Sequence, residues 1–152
     1  MILKIKRFNY LFNKSESSQS YFQPPLELHE IDYFEEITIN DIKINAIKQN
    51  HGVIDTLGFI FNDVFAYCTD VVGFPEKSFE YLRKMKVLII TGLRQSPHMA
   101  HAHFDLSFEW IAKLSPDVAY LTHLSPESDH DVVTKLCPPN TYPAYDGLVL
   151  NI

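Results

Sequence analysis

The sequence predicts an α/β fold, a mixed sheet covered by helices on one face. Three observations carry this. Residues 35–67 alternate apolar and polar positions, with Asn-Asp pairs at the turns. After Gly73 the apolar spacing lengthens to a helical period. From there on, short unbroken apolar runs of the buried-strand kind alternate with helical stretches.

In chain order, residues 13–25, NKSESSQSYFQPP, are polar and end in a proline pair, so they read as a loop. Ile37 and Ile39, then Ile42, Ile44 and Ala46, flank Asn40-Asp41 and predict a hairpin. Leu57–Phe61 and Val64–Tyr67 around Asn62-Asp63 predict a second, joined to the first by a loop. Pro75 and Glu76 suit a first helical turn, and Phe79, Leu82 and Met85 share one side, which predicts a helix over 75–85. Val87–Ile90 reads as a buried strand, followed by a histidine-rich loop to about His103. Asp105 is the expected N-cap of a helix carrying Phe108, Ile111 and Leu114. A strand at Val118–Thr122, a weaker helix at Asp129–Leu136 and a last strand at Gly147–Ile152 complete the order.

The totals narrow the function. A chain of 152 residues, 46% hydrophobic and 21% charged, suits one soluble domain. A formal charge of −6, with Lys4–Arg7 the only basic cluster, argues against a nucleic-acid partner. Met1–Arg7 is too short and charged for a secretory leader, and no apolar run is long enough to span a bilayer. The expectation is a cytoplasmic protein with no membrane partner. Cys68 and Cys137 have no metal-binding spacing and are expected to be free thiols.

Ionisable residues end three of the expected strands: His51 after Ile42–Gln49, Asp70 after Val64–Tyr67 and His123 after Val118–Thr122. Imidazole and carboxylate suit Zn2+, Mn2+ or Fe2+, which makes metal-assisted hydrolysis one reading. The plain alternative is a backbone-bonded loop histidine and a turn-forming aspartate. The His98, His101, His103 group is open to three readings: a solvated loop, a metal-binding tract, or the source of a general acid.

Five ordered blocks, NHGVIDTLGFIF, AYCTDVVGFPEKS, PHMAHAHFDLSFEWI, YLTHLS and YDGLVL, resemble the C-terminal half of metallo-β-lactamase-fold hydrolases. They are most similar to the branch of phosphoribosyl 1,2-cyclic phosphate phosphodiesterases, and with RFNYLF and PPLELHEI the resemblance runs over essentially the whole chain. It implies half of an αββα sandwich, a single truncated domain over residues 1–152, with the N-terminal half missing. It implies metal ligands at His51, Asp70 and His123, with Asp70 bridging two ions, and a leaving-group acid at His101. His103 and Arg94 fall on the substrate side.

The family's HxHxDH motif, which carries the remaining ligands, does not occur in the sequence. A full dinuclear Zn or Mn site therefore needs the missing half, and activity of this chain alone is not expected. Thr91 stands where relatives carry an acidic residue, and Pro126 where many carry a second histidine. An apolar sheet face left without its partner sheet implies a homo-oligomer or a separately encoded N-terminal half. The substrate class implied is a small phosphodiester. The competing reading is a non-catalytic remnant or partner-binding half-domain; β-lactam hydrolysis rests on the fold name alone.

Overall fold

The structure, a computed structural model, describes residues 11, 26–27 and 29–152. The loop expected over 13–25 and the RFNYLF segment lie outside the described residues. Packing divides the chain into two units, Met1–Ile31 and Asp32–Ile152. In the first, the Leu26 amide donates to the Leu11 carbonyl at 3.1 Å. Every element below belongs to the second.

Seven strands form one sheet in the order β1 to β7: β1 (Glu36–Ile39), β2 (Ile42–His51), β3 (Ile54–Phe61), β4 (Phe65–Cys68), β5 (Val87–Thr91), β6 (Val118–Thr122) and β7 (Thr141–Pro143). The first four pair antiparallel and the last four parallel. Three helices, α1 (Glu76–Leu82), α2 (Phe104–Leu114) and α3 (His130–Leu136), make the parallel crossovers. Each crossover steps one strand in the same direction, so right-handed connections put all three helices on one face.

Register and burial agree with that placement. Ala66, Leu88 and Ala119 are cross-strand neighbours, and each is fully buried. They cluster with Cys68, Ile90 and Leu121 against Phe79 and Leu82 of α1, Trp110, Ile111 and Leu114 of α2, and Val133 of α3. Enclosing a Leu or Ile side chain stabilises by roughly 1.5–3 kcal/mol, so this layer is the main source of fold energy. The alternate residues point the other way. Phe61 stacks on Phe65 at 5.4 Å and Tyr120 lies 5.9 Å from Tyr142, while Tyr67 and Tyr142 stay 38% and 47% exposed. The second face is thus apolar, aromatic and only partly covered.

Four expectations need correction. His51 and Ile54 pair directly, so the stretch expected as a loop before Leu57 is a third hairpin, with its turn at Gly52-Val53. The turn hid it, because Val53 and Ile54 read as core residues and the polar pair Asp55-Thr56 interrupts the apolar pattern of β3. The helix expected over 75–85 is shorter, with Pro75 at its N-cap position. Asp105 lies inside the first turn of α2, whose N-cap is His103. Gly147–Ile152 is not a strand: the seventh is Thr141–Pro143, whose proline is tolerated because β7 is an edge. Asp129 caps α3, accepting the Asp131 and Val132 amides, each at 3.0 Å.

Candidate metal centre

Parallel strands present all their C-terminal ends on one rim. Asp70 follows β4, Thr91 ends β5 and His123 follows β6, while β2, antiparallel to β3, brings His51 to the same edge. The loop from β5 to α2 then folds back over that rim. It is closed by Leu93 N–H to the Ala102 carbonyl and Phe104 N–H to the Arg94 carbonyl, both 2.9 Å. Ala102 N–H reaches the Val71 carbonyl at 2.7 Å, docking the loop beside Asp70.

This loop delivers His101 into the space between the strand ends. His101 Nδ1 lies 3.7 Å from Asp70 Oδ1, and His123 Nε2 lies 3.7 Å from the same oxygen. The His101 ring stacks on His123 and meets His51 edge-on, each at 4.6 Å between centroids. One donor atom from each of His51, Asp70 and His101 falls within 4.8 Å of the others. His98 flanks the group, its ring 5.0 Å from that of His101.

Each position has a local cause. His51 Nδ1 donates to the Ala100 carbonyl at 2.8 Å, which leaves its Nε2 lone pair free. Gly52 is required after it: with φ +75°, any Cβ would sit 3.0 Å from the Met99 carbonyl. Asp70 and His123 both hold left-handed backbone, φ 57° and 63°, which costs roughly 1–2 kcal/mol per non-glycine residue. Such strain persists only where the surroundings over-determine it, and it gathers at functional sites.

At Asp70 the surroundings are visible. Gln49 and Thr56 are cross-strand partners on β2 and β3. Thr56 Oγ1 donates to the Asp70 carbonyl at 2.8 Å, and Gln49 Nε2 donates to the Thr69 carbonyl at 2.9 Å. The Val72 amide bonds the Asn50 carbonyl at 2.8 Å. The end of β2 thus carries one candidate ligand and grips the loop that carries another. The mark of this clamp in the structure is a fully buried glutamine near the end of β2, an expense that needs partners.

Burial, then the neighbouring His123 and His51 rings, push the His101 imidazole below its ordinary pKa range of about 6.5, with Asp70 opposing. Its Nδ1 is buried and has no hydrogen-bond partner. The donor set of imidazole nitrogens and one carboxylate suits Zn2+ or Mn2+, and a buried, unpartnered ring nitrogen facing a carboxylate is what a cation would satisfy. The residues fit a metal.

The structure brings His51, Asp70, His101 and His123 together. It does not do so for all six sequence candidates. His103 starts α2, where its carbonyl accepts the Ser107 amide at 3.1 Å, and among the described residues no ring contact joins it to the cluster. Arg94 pairs with Glu127 at 3.3 Å, in a groove of about 530 Å3 between the loop and α3. Beside His123 lies a second hollow of about 370 Å3, lined by Thr122, Leu124, Tyr145 and Asp146. Thr91 is fully buried at the rim and its hydroxyl lacks a partner.

Comparison with known proteins identifies the superfamily. Among solved structures, the chain is similar to a diphosphatase from the PhnP family, at 31% identity and a TM-score of 0.79, over 83% of this chain and 49% of that one. It also resembles the metallo-β-lactamase fold protein YhfI from Bacillus subtilis, at 16% identity and TM-score 0.67, over 95% of this chain and 60% of that one. A third likeness is to Zn2+-bound PqqB from Methylobacterium extorquens, at 13% identity and TM-score 0.67, over 83% and 56%. The latter two show the fold alone. The chain spans about half the length of the diphosphatase and less than two thirds of the other two. No curated protein sequence matches it significantly. The family model described as the β-lactamase superfamily domain matches residues 5–124, and the chain belongs to that superfamily.

Proposed function

We propose that this chain is the acid-bearing half of a metal-dependent phosphodiesterase, completed by polypeptide that carries the HxHxDH ligands. One observation carries the reading: in a chain of this superfamily, His51, Asp70, His101 and His123 meet on a single rim. The 31% likeness to a diphosphatase supports a phosphorus ester as substrate. The partly covered aromatic face, with Tyr67 and Tyr142 exposed, supports docking of a second half-domain there.

In the completed site His51, Asp70 and His123 would hold the metals. When bound, Zn2+ or Mn2+ polarises a phosphoryl oxygen and acidifies water. The chain's own contribution is positional and protonic. The Thr56 and Gln49 bonds fix Asp70, the Ala100 carbonyl fixes the tautomer of His51, and the loop holds His101 over both. As a water oxygen bonds to phosphorus and its proton passes to solvent, the bond from phosphorus to the departing oxygen breaks, and His101, in its imidazolium form, gives that oxygen a proton. The hollow beside His123 receives the substrate's organic part, with the exposed Tyr145 as a stacking surface.

The test is reconstitution. Adding an HxHxDH-bearing half and Mn2+ or Zn2+ is expected to produce hydrolysis of bis(4-nitrophenyl) phosphate that is absent from either part alone. A soluble mixed complex that turns over neither this nor any other simple phosphodiester contradicts the proposal. The second reading, a non-catalytic partner-binding half-domain, draws on Thr91, since no carboxylate at that rim position steadies the ligands.

A further inference from the structure

We infer that the hollow beside His123 is a site for an organic cation, with Asp146 as its counter-charge and Tyr145 as its aromatic wall. The phosphodiester handled at the rim then carries a protonated amine or amidine on the arm that enters this hollow. That second statement rests on the proposed function; the site itself does not.

Two neighbouring strand ends build the hollow. His123 and Leu124 leave β6, while Ala144, Tyr145 and Asp146 leave β7, its parallel neighbour. Main-chain bonds hold the second segment in place: the Ala144 amide donates to the Leu121 carbonyl at 2.8 Å, and the Leu148 amide to the Tyr145 carbonyl at 3.1 Å. Gly147, at φ +88°, lets the chain reverse there, so Tyr145 and Asp146 stand on a closed turn. The Tyr145 ring meets the His130 ring edge-on at 6.2 Å and 79°, and the residue stays 59% exposed. The ring is therefore steadied on one side and open to a ligand elsewhere.

Charge decides what this space accepts. Of the six residues lining it, Asp146 is the only acid, and none is Lys or Arg. The ion pairs among the described residues leave its carboxylate unengaged. Arg94, expected on the substrate side, is paired with Glu127 in the separate groove beside α3. An anionic arm would thus meet a carboxylate with no cation beside it to offset the repulsion. A cationic arm meets its counter-charge, and the face of the tyrosine ring attracts it as well. An uncharged arm gains from neither.

The test is 1H–15N NMR titration of the purified chain with benzamidine, benzyl alcohol and benzoate, three rings of similar size and different charge. Benzamidine is expected to shift the amide signals of Leu124, Tyr145 and Asp146 saturably, with benzyl alcohol weaker and benzoate without effect. Asp146→Asn and Tyr145→Ala should each weaken benzamidine by about threefold to tenfold, the scale of exposed ion-pair and cation–π contacts, and Tyr145→Phe should keep most of the affinity. Both positions are exposed, so these variants leave the core intact, and the same spectra report their folding. Benzoate or benzyl alcohol binding as tightly as benzamidine, an Asp146→Asn variant that binds it unchanged, or no saturable shift at these amides overturns the inference. The titration uses neither metal nor a second half, so it decides the site independently of the hydrolase reading. In an active reconstituted complex, 2-aminoethyl 4-nitrophenyl phosphate should show a lower KM than ethyl 4-nitrophenyl phosphate, and Asp146→Asn should erase the difference. Equal KM values there, with benzamidine bound as expected, overturn the statement about the substrate's arm and leave the cation site standing.

Discussion

Replacing Thr56 by valine removes one hydroxyl while keeping the branched shape that suits β3. In the structure that hydroxyl donates to the Asp70 carbonyl at 2.8 Å and accepts from Gln49 Nε2 at 3.3 Å. Gln49 is fully buried and keeps its 2.9 Å bond to Thr69, so the loop is loosened at one of its two side-chain contacts. Loss of one hydrogen bond costs about 0.5–1.5 kcal/mol, rising toward 3 kcal/mol where the abandoned group stays buried. Part of that cost falls on stability and part on the left-handed Asp70 main chain, whose release would leave the carboxylate disordered. Outer-shell losses of this type lower metal affinity about 10–100-fold. Calorimetric titration with Zn2+ measures it, with chemical unfolding of the metal-free chain run in parallel. Thr56→Ser, which keeps the donor, should restore affinity. A folded Thr56→Val variant that binds Zn2+ as tightly as the parent would refute the view that β3 positions Asp70.

Other expectations follow from single contacts. Gly58→Ala places a Cβ 2.5 Å from Gln49 Oε1 and 3.1 Å from Cys68 Sγ, and overpacking at such a site costs about 1–3 kcal/mol, read as a lower melting temperature. In the metal-free chain the depressed pKa of His101 means that the unfolded state binds its proton first. Stability should therefore be full above about pH 6.5 and fall as pH drops below it, and His101→Gln should flatten that slope in urea unfolding at pH 7.5 and 5.5. Burial pushes the Cys68 thiol far up and the half-buried Cys137 thiol up less, so Ellman's reagent should label Cys137 first and Cys68 only with unfolding.

What could be read from the sequence was whatever depends on local pattern. The Asn-Asp turns, the apolar runs of β5 and β6 and the helix ending at Leu136 are short-range features, and they appear where their residues put them. The rim was legible for the same reason: His51 is the last residue of β2, Asp70 lies two past β4 and His123 one past β6, and the strand pairing brings these ends to one edge. The β2–β3 hairpin was obscured because its turn needs only Gly52 in left-handed backbone, while Val53 and Ile54 look like core and are 95% and 58% exposed. β7 was obscured by Pro138 and Pro139 before it and Pro143 within it, since a three-residue edge strand has almost no pattern to show. Loop conformation is decided by long-range contacts. Nothing in the spacing of His98, His101 and His103 shows that the loop's bonds to Val71 and Arg94 turn His101 inward and leave His103 to start a helix. The Gln49–Thr56 clamp joins residues that are neighbours only through strand register.

The account turns on whether the rim holds a metal, and anomalous diffraction from crystals of the chain soaked in Zn2+, collected on both sides of the zinc edge, addresses that most directly. A difference peak among the side chains of His51, Asp70 and the neighbouring imidazoles is the expected result. A map with no peak at that rim in crystals holding zinc elsewhere would contradict the account.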